Sequence, residues 1–343
     1  MSADVVVPES RHEIIWTRRR VLHRGVTAIG IGLLAACGCA PAIKQPRVPT
    51  VGFVSPFAPD LEQFLRPVRA LGYVEGQTLT IASRTGVPET AEELAPLVDG
   101  LVRLPADIIV AVGSTAAGIA KGKTTKIPVV FFGVADAVAL GLVVNVARPE
   151  GNLTGVTNVS AQAIGKGLEY LVQFAPGGAR VAFVGNLGEN PGSLLQLAAA
   201  QAAAKTIGVP IVDFALRDAS DIDRVFDSLS SGGVKAVMVG SDGITLRSQQ
   251  RLVENAARVR LPTIYTRREF ADAGGLIAYG PSYPALWERC AALVDKLARG
   301  SAPGDLPVEQ PASFDLIVNF KTAKALGIPV PQAIVAQATE VIQ

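Results

Sequence analysis

The residues best placed to do chemistry in this chain are small and hydroxylated. The stretch "VAVGSTAAGIAKGK" (110–123) runs from β-branched residues through Gly113 into a helical pattern that begins near Thr115. Backbone N–H groups at such a helix start suit an anion, and the Ser114 and Thr115 hydroxyls would add donors. A ligand carboxylate is the natural guest; a plain helix cap by Ser114 is the competing role. The pattern returns as "VMVGSD" (237–242), which ends on Asp242, while Asp136 follows "VVFFG" (129–133). Carboxylates at strand ends could hold a ligand ammonium by charge-assisted hydrogen bonds. An N-cap for Asp242 and a turn for Asp136 are the alternatives. Ser55, Pro56, Phe132 and Asn186 close other strand-like runs. Phe57, Tyr265, Tyr279 and Tyr283 offer ring faces either to an apolar ligand or to the core. The candidate ligand-binding set is therefore Ser55, Pro56, Ser114, Thr115, Phe132, Asp136, Asn186, Asp242, Tyr265 and Tyr279.

Other chemistries lack their residues. Both histidines, His12 and His23, precede residue 37, so the body has neither the commonest general base nor the commonest metal ligand. A Ser-His-Asp triad is excluded, and no metal-ligand spacing, P-loop or GxGxxG after a strand occurs. "GGLIAYG" (274–280) is too loose for a dinucleotide fingerprint, and the paired cysteines of a cofactor-free racemase are missing. No catalytic residue, cofactor or metal is expected. The net charge of +2 reflects five arginines among the first 36 residues; the remainder is balanced. Nucleic acid, whose binding rests on phosphate neutralisation, is not an expected partner.

The first 36 residues read as an export signal. Arg18, Arg19, Arg20 and Arg24 precede an apolar stretch from Gly25 to Cys39 that is too short to span a bilayer. "TRRRVLH" (17–23) is similar to a twin-arginine motif, with Val21 and His23 at departing positions, so Sec export stays open. "LAAC" (34–37) is similar to a lipobox, which makes Cys37 the lipidation site and residues 37–49 an anchored linker. Cleavage near Ala40 by signal peptidase I is the alternative. One residue between Cys37 and Cys39 makes a disulfide there badly strained. Cys290, in a helical run, reads as a core residue.

From residue 49 onward, short β-rich runs alternate with helical patterns, which predicts an α/β architecture. The strand candidates are 50–55, 79–83, 107–113, 128–133, 153–158, 180–185, 210–216, 235–240, 262–266 and 275–280. The series repeats: "VGFVS" (51–55) matches "VAFVG" (181–185), "VAVGS" (110–114) matches "VMVGS" (237–241), and "IPVVFF" (127–132) matches "LPTIYT" (261–266). Two similar doubly wound parallel-sheet lobes follow, with a boundary near 158–162. Ligands bind outside the carboxyl ends of such strands, so two facing lobes share one cleft.

Several longer stretches carry a family likeness: "LGYVEGQTLTI" (71–81), "IPVVFFGVADAVALGLV" (127–143), "ARPEGNLTGVTN" (147–158), "REFADAGGLIAYGPS" (268–282), "DLPVEQPASFDLIVNFKTAKALGIPVP" (305–331) and "EVIQ" (340–343). In that order they resemble the bacterial ABC-transporter substrate-binding protein family that includes the tryptophan- and tyrosine-type binding lipoproteins. The resemblance implies a type I periplasmic-binding-protein-like fold, with three crossovers forming a hinge. Lobe 1 would be 50–158 plus about 283–343, and lobe 2 would be 159–282. The third crossover is expected near 279–284, and the segment 305–343 is expected to return to the hinge and lobe 1. The resemblance further implies a monomeric, lipid-anchored extracytoplasmic protein that takes a small ligand to a membrane permease. A periplasmic sensor for a signalling receptor, or an enzyme on the same scaffold, are the alternatives. Where relatives have "DPV" and "NP" this chain has "DAV" (136–138) and "GNLGEN" (185–190). Both departures fall at the expected cleft, so the expected ligand is the broader class, an amino acid or another small carboxylate.

Overall fold

Strands rich in Val, Ile and Phe with no alternation of polar residues bury on both faces, as parallel sheets require. A computed structural model describes residues 48–86, 90–175 and 180–343; the export segment with Cys37 lies outside the described residues. Lobe 1 opens with β1 (Thr50–Ser55), α1 (Asp60–Ala70), β2 (Thr80–Thr85) and α2 (Ala91–Arg103). It continues with β3 (Ile108–Val112), α3 (Ser114–Lys123), β4 (Val129–Val134) and β5 (Leu153–Thr157). These five strands form a parallel sheet in the order β2-β1-β3-β4-β5.

The second lobe repeats the plan. Its elements are α4 (Ser160–Leu171), β6 (Arg180–Gly185), α5 (Pro191–Ile207), β7 (Ile211–Ala215) and α6 (Asp221–Ser231), then β8 (Val234–Val239), α7 (Gly243–Arg247) and α8 (Gln249–Arg258). β9 (Thr263–Tyr265), α9 (Arg268–Asp272) and β10 (Ile277–Pro281) complete the parallel part. The order β7-β6-β8-β9-β10 is the order of lobe 1, strand for strand, as the internal repeat predicts. All ten strand candidates lie on these ten strands. Helix starts follow local chemistry: the Thr90 side chain accepts from Glu93 N ahead of α2, and Asn190 accepts from Ser193 N ahead of Pro191 in α5.

The chain then crosses between lobes twice more. α10 (Tyr283–Ala298) packs on lobe 1, where Phe53, Phe64, Phe132 and Trp287 share one core. The Phe132 and Trp287 rings stack with centroids 3.4 Å apart, and Trp287 Nε1 donates to Gln63 Oε1 at 3.1 Å. Cys290 is fully buried in the same cluster, as expected. The segment beyond departs from expectation. Only as far as Glu309 does it follow lobe 1, where Glu309 N donates to Gly155 O and Thr157 N to Glu309 O. β11 (Phe314–Asn319) then pairs antiparallel with β10, and β12 (Glu340–Ile342) pairs parallel with β11, beyond α11 (Phe320–Leu326) and α12 (Gln332–Val335). The tail thus completes the seven-stranded sheet of lobe 2. Leu316 and Val318 bury in the lobe 2 core, Ile317 packs with Ala271 and Ala278 on the other face, and β11 covers the β10 edge. The crossover expected as the third, near 279–284, is the second in chain order; the third lies at 310–313.

Trp287 fastens the crossover helix to lobe 1. Trp287→Ala is expected to cost about 3–5 kcal/mol in a denaturant titration followed by circular dichroism. A loss under about 1 kcal/mol would show that the stack contributes little.

Candidate functional site

Segments that follow β1, β3, β4, β8 and β9 meet in one cleft between the lobes. Lobe 1 supplies Pro56, Asp60, Val112, Gly113, Ser114, Phe132, Gly133, Ala135 and Asn158, with Tyr283 from α10. Lobe 2 supplies Ser160, Asn190, Gln196, Ser241, Asp242, Gly243, Leu246 and Arg267. The cavity volume is about 40 Å³, room for a few waters. The lobes are closed on one another. Arg247 Nη1 of α7 donates to Pro56 O across the gap at 3.1 Å. At Gly192, in the first turn of α5, a Cβ would stand 2.6 Å from Ser114 Oγ, so this approach requires glycine.

Asp60 is 2% exposed, at the start of α1. Ser55 Oγ donates to Asp60 Oδ2 at 2.6 Å, and Oδ1 is buried with no partner. Burial raises the Asp60 pKa to about 6, against the opposing pull of Arg267 and the Ser55 hydrogen bond. Arg267 is 3% exposed and lies over the Tyr283 ring, 3.7 Å from its centroid. Arg267 Nη2 pairs with Glu269 Oε1 at 2.7 Å. Burial would raise the Glu269 pKa, and the Arg267 charge holds it below the usual value nonetheless.

Asp242 is built differently. Oδ1 accepts from Thr245 N at 2.9 Å, and Oδ2 accepts from Asn186 N at 2.8 Å and Ser193 Oγ at 3.1 Å. Burial pushes its pKa up and these donors pull it back. It caps α7 in a capping box with Thr245. Gln196 braces the same turn by accepting from Ser241 N at 2.9 Å.

Of the ten residues expected at the site, Pro56, Ser114, Phe132 and Asp242 line the cleft. Ser55 stands behind it, holding Asp60. Asn186 presents its backbone N–H to Asp242, and Thr115 is buried beside Ser114 with its hydroxyl unpartnered. Three residues lie elsewhere. Asp136 closes a turn, its Oδ1 accepting from Val138 N and Ala139 N at 2.9 Å. Tyr265 stacks on Phe270 inside lobe 2, centroids 4.5 Å apart. Tyr279 sits between Tyr170 and Phe314. Asp60 and Arg267 were not expected. Arg267 did carry a signal, since it follows "TIYT" at a strand end; Asp60 lies five residues past β1, where only the fold brings it back to Ser55. Among the described residues no group of three or more His, Cys, Asp or Glu could hold a metal, and no helix is long and apolar enough to cross a membrane.

A family model for ABC transporter substrate binding proteins matches residues 63–342. A tyrosine-binding protein of Clostridioides difficile (strain R20291) is 24% identical over 268 residues, which are 77% of this chain and 75% of the relative. A conserved domain protein from Vibrio cholerae superposes with a TM-score of 0.79 at 22% identity, covering 86% of this chain and 100% of that one. An ABC domain from Streptococcus pneumonia in complex with L-Trp gives 0.74 at 22% identity, covering 85% and 99%.

The raised Asp60 pKa has a definite sign for stability. The folded protein binds this proton more tightly than an unfolded carboxyl with the ordinary value of 3.8. The stabilising contribution is complete below about pH 4 and is lost as pH rises through about 6, a change of up to about 3 kcal/mol. Asp60→Asn removes it. Melting temperatures of ligand-free protein from pH 4 to 8 should therefore show the variant gaining on the wild type as pH rises; parallel curves would refute the buried charge.

Proposed function

The chain belongs to the ABC transporter substrate binding protein family, and we propose that it is the extracytoplasmic solute-binding component of an ABC importer. It takes an amino acid, or another small carboxylate, between its lobes and delivers it to a permease. One observation carries this reading: the lobes enclose a polar cleft at the carboxyl ends of both sheets, and the contacts across it are ones a hinge can release. The ligand's acid group would rest near Ser114, at the N-terminus of the ten-residue helix α3. The tyrosine-binding relative and the L-Trp complex support an amino acid as the class. Cys37 is the proposed lipid anchor that keeps the protein at the membrane outside the cytoplasm.

A thermal-shift screen against the twenty amino acids and small carboxylates tests this, with bound ligand recovered for mass spectrometry. Ligand at a hundred times Kd adds about 2.7 kcal/mol to stability, so a dose-dependent rise in Tm and unchanged recovered compound are expected. No shift across the panel removes the amino-acid assignment, and a consumed compound means an enzyme.

Gly192→Val tests closure on the same ligand. Its side chain would occupy the space of Ser114 Oγ and also crowd the Asn190 cap, 3.0 Å from the new Cβ, so affinity should fall at least tenfold and ligand-free Tm should fall modestly. Unaltered affinity would show that the lobes need not approach this closely to bind.

A further inference from the structure

We propose that Asp60 receives the protonated amino group of the ligand on its open carboxylate oxygen, Oδ1. This rests on the amino-acid reading above and adds the atom that selects an amine.

Two carboxylates line the cleft. Both oxygens of Asp242 are occupied, by Thr245 N on one side and by Asn186 N and Ser193 Oγ on the other, and their geometry is that of a helix cap. Both of its oxygens are already engaged within the lobe. Asp60 has one oxygen open: Oδ2 takes the Ser55 hydroxyl, while Oδ1 accepts nothing although the residue is almost wholly buried. A buried carboxylate oxygen without a donor is costly, and it persists where something outside the chain completes it.

Charge decides what that partner is. Arg267 lines the cleft, and Arg247 reaches across it to Pro56 O. Glu269 already engages its guanidinium, with Arg267 Nη2 donating to Oε1 at 2.7 Å and Nε to Oε2 at 3.4 Å. Arg247 and Arg267 stand against Asp60, Asp242 and Glu269, which leaves one negative charge in surplus, and Asp60 is the carboxylate with an oxygen unpartnered. An anionic group placed there would meet repulsion, and a neutral one would leave the charge uncompensated. An ammonium supplies both an opposite charge and N–H donors. From lobe 2, the Ser160 hydroxyl also lines the cleft, buried and unpartnered, at the N-terminus of α4. The groups that face Asp60 are thus Ser55 on lobe 1 and Arg267 with Glu269 on lobe 2. Of these only Asp60 is placed to titrate between pH 5 and 7.

The test is calorimetry on the full chain. L-tryptophan, L-tyrosine and whichever amino acid gives the largest thermal shift are each compared with the analogue lacking only the amino group, such as indole-3-propionate for tryptophan. Wild type should bind the amino acid at least a hundredfold more tightly than the analogue. Asp60→Asn should lose about that factor for the amino acid and little for the analogue. A second readout needs no variant: wild-type affinity for the amino acid should fall as pH drops from 7 to 5, while affinity for the analogue should not. Asp60→Asn binding within threefold of wild type, an amino-free analogue binding as well as its parent, or a flat pH profile would each overturn the assignment while leaving an amino-acid or carboxylate ligand standing. Wild type that binds none of the twenty amino acids would instead defeat the amino-acid reading, and this inference with it.

Discussion

One amide holds the hinge together. Asn158, the first residue past β5, donates from Nδ2 to Gly133 O at 3.0 Å and to Tyr283 Oη at 3.1 Å, while its Oδ1 accepts from Ser160 N at 3.0 Å. It therefore joins the end of β4, the entry to lobe 2 and the first residue of the returning helix α10. Tyr283 in turn carries the Arg267 guanidinium on its ring, and the Arg267 charge opposes the burial that raises the Asp60 pKa. Two of the three crossovers and the charged wall of the cleft are thus linked through neighbouring side chains. Rotation of lobe 2 must move Arg267 relative to Asp60, because one sits beyond β9 and the other on α1. Closure and the charge balance of the cleft are one event.

The charged groups are expensive to bury, and their arrangement limits the cost. A guanidinium stripped of water loses several kcal/mol of hydration unless it is paired and packed. Glu269 pairs with Arg267, and the Tyr283 ring covers its flat face. Asp60 receives less: one short hydrogen bond from Ser55 and the more distant attraction of Arg267. Lobe 2 is rigid where Asp242, Thr245, Ser193 and Gln196 close their bonds internally. On lobe 1, Asp60 Oδ1 and the Thr115 hydroxyl are left without a donor or acceptor. Asp60 Oδ1 and the Ser160 hydroxyl, unpartnered on opposite sides of the cleft, are where an incoming group can release free energy.

The strands were legible because parallel strands in a doubly wound sheet are written locally. Each is an uninterrupted apolar run between helical patterns, and the copy in the second lobe confirms each run in the first. β11 was missed as a strand although "FDLIVN" has the same composition, because it has no counterpart in the repeat and enters antiparallel. Strand ends could be named, and Pro56, Ser114, Phe132 and Asp242 are where that argument leads. The direction of a side chain at a strand end could not be read in the same way. Tyr279 and Tyr265 lie on strands whose alternate residues face opposite ways; Tyr265 turns into the lobe 2 core, and Tyr279 packs half-buried between Tyr170 and Phe314. Nor does sequence show which carboxylate has donors to spare. Asp136 and Asp242 carry hydrogen bonds from residues two to 56 positions away; whether an acid is satisfied is decided by the whole lobe.

The third crossover gives the hinge its stiffness. With only the first, at Val159, lobe 2 would hang from a single backbone link, and that link is strained: Val159 has φ of 42°, a left-handed conformation unfavourable to a β-branched residue. The second follows β10 at Pro281 and leads into α10, which is locked to lobe 1 by the Trp287 stack. The third leaves lobe 1 at Glu309, itself bonded to β5 through Gly155 and Thr157, and enters β11. Because β10 and β11 are paired to each other in lobe 2, the second and third links are fixed side by side. Three short links anchored in rigid sheets at both ends permit rotation about the line they define and resist sliding. The strain at Val159 is held in place by that constraint, and by the Asn158 amide beside it.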